Sequence, residues 1–412
     1  MKLQNLIYAT MVACAFSACS NDDDPNIPDP ALEMDATLTA VFNSVGNEGS
    51  SLKSSTKAGD DAGFNTVNTI GIAVFNDGAM GNAMTSGTLI SYQQKNNEAD
   101  TTACISVKSG NVKVLVVANP AENMFNGQTT LEGFIGKISN AAINSEALLM
   151  SSKVYSLTLS AGRNVIVKDL NTSVFSGNTT DGQVKLSENV KVYRNVARVE
   201  VPSITVNPRE GFGKGETAKF TLKKIFVANV HSAVRVAGTS EGENLYKATT
   251  AWCSVVDGTN ALMKDTENNN AYFKEISKEI NYSNDQNGKK ETIEGAQLFV
   301  YDNASHQVIG TPKDNATLLV IKGDYEYTTD AGSTVKSTDA YWTVAINNDA
   351  LTPGDKDFPQ HCGVLRNVKY VMNVTITGPG SGTIDPESNA ASLTSKIEVV
   401  NWGEVVLTPD ID

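Results

Sequence analysis

Between Leu32 and Phe42 the apolar side chains fall on even positions, Leu32, Met34, Ala36, Leu38, Ala40 and Phe42, while Glu33, Asp35, Thr37 and Thr39 take odd ones. Only Val41 breaks the rule. Successive side chains of a strand point to opposite faces, so this segment reads as one long strand with one dry face. Such a face has to be packed into something. Burial of Leu32, Met34, Leu38 and Phe42 at roughly 1.5–3 kcal/mol each would contribute on the order of 6–12 kcal/mol before ordering costs.

The same kind of signal recurs along the chain. Val67–Phe75, Asn111–Ala118, Val154–Leu159, Asn195–Val201, Phe220–Val227, Gln297–Tyr301, Thr317–Lys322, Tyr341–Ile346, Tyr370–Thr377 and Ile397–Val400 favour β-structure, and Gly, Asn, Asp and Ser fill the turns between them. Helix is scarce. Its best candidate is Thr130–Ser139, where Leu131, Phe134, Ile135 and Ile138 recur at helical spacing behind a threonine cap, with Ala141–Leu149 as an extension. The pattern predicts a mainly β protein of two β-sandwich-like domains in tandem, with a short helical excursion in the first. Pro208, Gly211, Gly213 and Gly215 crowd the segment after Val201, which puts the boundary there. The expected domains are residues 36–201 and 202–412, each of ordinary size. Asn268–Asn270 and Asn281–Lys290 read as loop insertions in the second, and no internal repeat is evident.

The first residues look like an export signal. Lys2 precedes an apolar run from Leu6 to Phe16, followed by the small residues Ser17 and Ala18. That run is too short to span a bilayer. Cys19 at the cut site resembles the lipobox of bacterial lipoproteins, which implies an acylated, palmitate-type lipid anchor at Cys19 after loss of residues 1–18. Ser20, Asn21 and Asp22–Asp24 resemble the tag that sends some lipoproteins to the outer face of the outer membrane, making residues 19–35 an acidic export linker. The alternative is an ordinary secretory signal beside an incidental cysteine. Removing residues 1–18 takes one lysine and leaves 32 basic against 46 acidic residues, a charge of about −14. A chain so acidic, without clustered Lys or Arg, excludes nucleic acid as a partner.

Gly46–Asp61 holds Leu52 as its only large apolar residue and contains Lys53 and Lys57. It reads as an accessible loop in which a trypsin-like protease could cut between Lys57 and Ala58, freeing the strand upstream. A plain solvated loop is the alternative. Near the C-terminus Val405, Leu407 and Ile411 alternate with Glu404, Thr408 and Asp410, with Pro409 on the apolar side and Gly403 placed as a hinge.

Nothing in the chain points to an enzyme. His231, His306 and His361 accompany no nucleophile elbow, zinc helix or poised cysteine. Gly211–Gly215 lacks the ending of a phosphate loop, and the acidic clusters lack calcium-loop spacing, so no cofactor and no metal is expected. Cys104, Cys253 and Cys362 lie far apart; one disulfide, with Cys253–Cys362 the favoured pair, and three buried free thiols are both compatible with them. Asp100-Thr101-Thr102 resembles a bacterial O-glycosylation acceptor.

A wider resemblance now comes into view. The lipobox, the early alternating strand, the basic loop, Ile70–Asn76, Val114–Asn119, Tyr193–Val199 and Leu365–Tyr370 together are similar to the fimbrillin family, the pilus subunits of type V fimbriae. The resemblance covers nearly the whole mature chain in the right order. It implies a lipoprotein precursor whose first strand (Leu32, Met34, Leu38, Phe42) is removed by a trypsin-like surface protease. It also implies that the emptied groove receives the C-terminal strand (Val405, Leu407, Ile411) of another copy or a related subunit, head to tail. The family usually presents arginine at the cut, where this chain has Lys57. The partners implied are other subunits, the protease, the outer membrane through lipid, and a host or bacterial surface ligand; the location is the cell surface and then the fimbrium. The alternatives are an uncleaved anchor or tip subunit, a glycan-binding surface lipoprotein stacking sugars on Trp252, Tyr341 or Trp342, and Val405–Ile411 as simply the last strand of its own sheet.

Overall fold

The structure is a computed structural model. It describes residues 34–40, 43–45, 64, 66–78, 85–96, 103–139, 143, 147–168, 182–186, 190–237, 262–283, 287–303, 316–347, 363–385, 392–401 and 405–408. The chain begins with β1 (Ala36–Ala40), β2 (Asn43–Val45), β3 (Thr69–Asn76), β4 (Leu89–Asn96), β5 (Ala103–Val107) and β6 (Gly110–Ala118). Helix α1 (Leu131–Ile135) follows, then β7 (Ile138–Ser139), β8 (Met150–Ser152), β9 (Tyr155–Leu159), β10 (Gly162–Lys168), β11 (Gly182–Leu186) and β12 (Val190–Arg194). The second half opens with β13 (Val196–Glu200), β14 (Ser203–Val206), β15 (Thr217–Ala228), β16 (Val234–Arg235), β17 (Phe273–Ser283) and β18 (Lys289–Thr292). It closes with β19 (Gln297–Tyr301), β20 (Leu318–Thr328), β21 (Thr334–Ala345), β22 (Val368–Ile376), β23 (Leu393–Asn401) and β24 (Val405–Thr408). The fold is mainly β, as the turn-punctuated apolar segments predict.

Two sheets face each other in the first half, one ordered β11-β10-β1-β5 and the other β2-β24-β12-β8-β6-β3-β4 with β9 on β6. Ala36, Leu38, Ile105, Val107 and Ile166 of the first sheet share a core with Ile70, Ile72, Val74, Val112, Val114 and Val116 of the second. Both faces of β3 and β6 are covered. Ala73, Phe75, Leu115 and Val117 point the other way, into a separate cluster with Phe125, Leu131, Phe134 and Val236. Helix α1 supplies that cover, with the Phe125 and Phe134 rings stacked at 4.5 Å. Burial on both sides is why these strands read as continuous apolar runs.

The Thr130 side chain caps α1 by accepting from the Gly133 N–H at 3.1 Å, as the sequence predicts. The helix nevertheless ends at Ile135, short of the expected Ser139. Ile138 and Ser139 pair with Arg235 and Val234 instead, and that ladder outcompetes another helical turn.

In the second half a sheet ordered β18-β14-β22-β13-β19, with β23 on β22, packs against β17-β15-β20-β21. Val199, Ile204, Val368 and Tyr370 meet Phe220, Leu222, Leu319, Ile321 and Trp342 in their shared core. Sheet membership changes across a single residue, Asn195: β12 pairs with β8 and β24, whereas β13 pairs with β19 and β22. β24 runs against that division, because the last strand of the chain lies in a sheet built otherwise from residues 43–194.

Candidate functional site

β1 occupies the middle of its sheet. It runs antiparallel to β5 from Ala36↔Val107 to Ala40↔Ala103 and parallel to β10 from Ala36↔Gly162 to Thr39↔Val165. Leu38 and Ala36 are fully buried, and half-buried Met34 packs on the same core. Removing β1 would therefore open an apolar trough between the unpaired edges of β5 and β10.

The alternation is correct for Ala36 and Leu38, but one long strand from Leu32 to Phe42 is not what forms. Met34 and Asp35 precede the strand, β1 ends at Ala40, and Asn43–Val45 pair in the other sheet. Thr37, on the opposite face, is also buried. Leu32 and Phe42 lie outside the described residues.

Two polar devices seat β1. The Asp35 carboxylate accepts from the Ser109 N–H at 2.7 Å, the Ser109 hydroxyl at 2.8 Å and Lys108 Nζ at 3.3 Å, while its carbonyl accepts from the Gly162 N–H at 2.9 Å. Partial burial disfavours the charged Asp35, yet the Ser109 and Lys108 hydrogen bonds outweigh it and hold the pKa below the ordinary value. Deeper in the strand, buried Asn164 donates Nδ2 to the Thr37 carbonyl at 3.2 Å and to Ser160 O at 2.7 Å, and accepts from the Ser160 N–H at 2.9 Å. Sequence reasoning missed both, because nothing in local spacing ties residue 35 to 109 or 37 to 164.

The C-terminal strand β24 lies between two partners. Val405, Val406 and Leu407 pair antiparallel with Val192, Lys191 and Val190 of β12, and Val406, Leu407 and Thr408 with Val45, Ser44 and Asn43 of β2. Val405 and Leu407 thus belong to a strand, and that strand lies in the chain's own sheet, the placement named above as the alternative to a donor strand. Ile411, Cys19, Lys57, Ala58 and Asp100–Thr102 lie outside the described residues, as do Cys253, Cys362 and Trp252. Cys104 stands opposite Thr39 in the β1–β5 ladder.

Two of the three aromatic residues offered for sugar stacking, Trp342 and Tyr341, are occupied. Trp342 is fully buried, its Nε1–H donating to Gly378 O at 2.9 Å. Half-buried Tyr341 bonds Glu267 at 2.8 Å and carries Lys322 Nζ over its ring at 5.2 Å. Among the described residues no group of three or more His, Cys, Asp or Glu could hold a metal, and no helix is long and apolar enough to cross a membrane.

A second omission concerns the triplet Arg-Asn-Val, which occurs at 194–196 and again at 366–368. Both copies lead into neighbouring parallel strands, β13 and β22. Asn367, at φ 59°, donates its N–H to Val196 O at 2.7 Å, and Asn195 Nδ2 donates to Val236 O at 2.6 Å. Arg366 makes a buried two-pronged ion pair with Asp302 and also donates to Arg235 O. Arg194 Nε donates to Phe64 O at 3.1 Å. The twin triplets thereby bind the two halves where the sheets change, and their identity was the one signal that could have found them.

Comparison with known proteins bears on this geometry. Residues 36–194 match the family described as major fimbrial subunit protein (FimA). A major fimbrium subunit FimA type-3 of Porphyromonas gingivalis is 23% identical over 440 residues, covering 98% of this chain and 99% of the relative. A putative cell adhesion protein of Parabacteroides distasonis superposes with a TM-score of 0.57 at 22% identity, covering 89% of this chain and 99% of that one. A fimbrilin (FimA) of P. gingivalis does so with a TM-score of 0.56 at 16% identity, covering 92% and 99%. The two solved structures share this fold over nearly its whole length.

Proposed function

We propose that this chain, whose residues 36–194 match the major fimbrial subunit (FimA) family, is a pilus subunit precursor that is activated by losing its first strand and polymerises by donor-strand exchange. Export as a lipoprotein on Cys19, a cut by a trypsin-like surface protease between Lys57 and Ala58, and assembly into a surface fimbrium for adhesion or biofilm formation complete the reading. The observation that carries it is the seat of β1. This strand is paired on both sides and buries Leu38, yet it lies upstream of Lys57, so one cut detaches it without severing β3 or anything after it.

The physics of the emptied site supplies the drive. Unpaired edges and a dry trough favour addition of an extended apolar strand. Each subunit would give a strand at one end and receive one at the other, so contacts are heterologous and do not close, and a filament results. Val405 and Leu407 are the side chains proposed to refill the trough, with Ile411 beyond them. The family and the shared fold are those of structural fimbrial and adhesion proteins rather than enzymes.

Mass spectrometry of surface-purified material is the test. Fibres should contain chains beginning at Ala58, and Lys57→Ala should leave lipidated monomers. Fibres that retain residues 36–40, or normal fibres from Lys57→Ala, would overturn the assignment. An uncleaved anchor subunit would instead keep its Cys19 lipid at the fibre base.

A further inference from the structure

The last strand of this chain is covered on both backbone edges, by β12 on one side and by β2 on the other. β2 is the outermost strand of its sheet and, like β1, lies upstream of Lys57. We propose that β2 is an intrachain latch that withholds the C-terminal strand from a second copy of this chain, and that the cut removing β1 withdraws the latch as well. The inference rests on the processing reading above.

The argument follows from the ladders. With β2 in place β24 is an interior strand whose N–H and C=O groups are paired on both flanks. Without β2 it becomes a four-residue edge strand near the chain end, held by three residue pairs to β12 alone. Short terminal edge strands open most readily. Its root stays fixed, because β23 pairs with β22 over nine positions, from Val368↔Asn401 to Ile376↔Leu393. Residues 402–404 separate that anchored root from the detachable tip. An unprocessed chain would then be closed at both ends, its groove filled by β1 and its donor covered by β2. One proteolytic event would make it receiver and giver together.

Hydrogen exchange on the full-length unprocessed chain tests this directly. Adjacent amides of an edge strand point alternately to the partner strand and to solvent, so a proline at one of Ser44 and Val45 removes a ladder donor to β24 while the other serves as a control. At least one of Ser44→Pro and Val45→Pro should lower protection of amides 405–408 by about tenfold or more, with amides 36–40 unchanged. Added to processed wild-type subunits, that unprocessed variant should donate but not receive, and so shorten the polymers. Unchanged protection of 405–408 in both variants would overturn the latch, as would donation by unprocessed wild-type chain. These outcomes are separable from failure of the processing site, which would show as residues 19–57 retained in fibres while the exchange result stands.

Discussion

The side-chain oxygen of Asn367 accepts both the backbone N–H of Arg194, at 3.2 Å, and its Nη1, at 3.0 Å. One amide from the second half thus holds a buried guanidinium at the end of the first, and does so from a left-handed backbone position that asparagine tolerates better than most residues. Asn367→Ala should destabilise the chain by about 2–3 kcal/mol, measured by chemical denaturation. Asn367→Gly relieves the backbone but not the lost acceptor, and should recover only part of that loss.

Asp302 and Arg366 form the most enclosed ion pair among the described residues, at 1% and 4% side-chain exposure. Asp302→Ala would strand the guanidinium charge in the interior and should cost about 3–5 kcal/mol. A double variant replacing both with apolar residues of similar size should be less damaging than either single change, a comparison that a denaturation cycle reads directly.

For Asp35 the sign of the pH effect is set by its lowered pKa. A carboxylate held below its ordinary value of 3.8 contributes stability that is fully present above about pH 4 and is lost as pH falls through the folded-state value. Asp35→Asn should therefore speed exchange of amides 36–40 at neutral pH, and the gap between variant and wild type should begin to narrow as pH falls below about 3.8 and vanish once pH is under the folded-state value.

Leu38→Ala separates the precursor from the processed subunit. Loss of a fully buried leucine should lower precursor stability by about 2–5 kcal/mol. The same substitution should leave no trace in chains cut after Lys57, since the strand has gone. Thermal unfolding before and after processing measures both.

Leu407→Lys tests the donor. It should reduce polymer yield at least about tenfold, read by sedimentation of processed protein, because a charged head in the apolar trough carries a large burial penalty. Since Leu407 also pairs with buried Val190 in its own sheet, thermal unfolding of the variant monomer is the control that separates lost donation from lost folding.

The strands most legible in the sequence are those with one or both faces in a core. Gln297–Tyr301 forms as expected, and Val67–Phe75 shifts only to Thr69–Asn76. Tyr341–Ile346 turns out to be the buried end of a much longer strand that starts at Thr334. Its early residues, Thr334 to Asp339, are mostly exposed and polar, so period-two reasoning had nothing to detect. For the first strand, periodicity showed which side chains share a face but not which sheet receives them, and Asn43–Val45 went to the opposite sheet. Strand partners separated by more than a hundred residues, such as β1 with β10 or β2 with β24, leave no local trace. The Arg-Asn-Val pairing escaped for the same reason.

Between Ala40 in one sheet and Asn43 in the other, the covalent path is three Cα steps, about 11 Å at full stretch. A tether that short sets a tight upper limit on how far the two strands can part while the chain is intact. On the proposed latch, whatever pulls the Leu38 side of the chain from its seat would also tug at the clasp over the tail, and priming of the groove and arming of the hook would be mechanically one stroke.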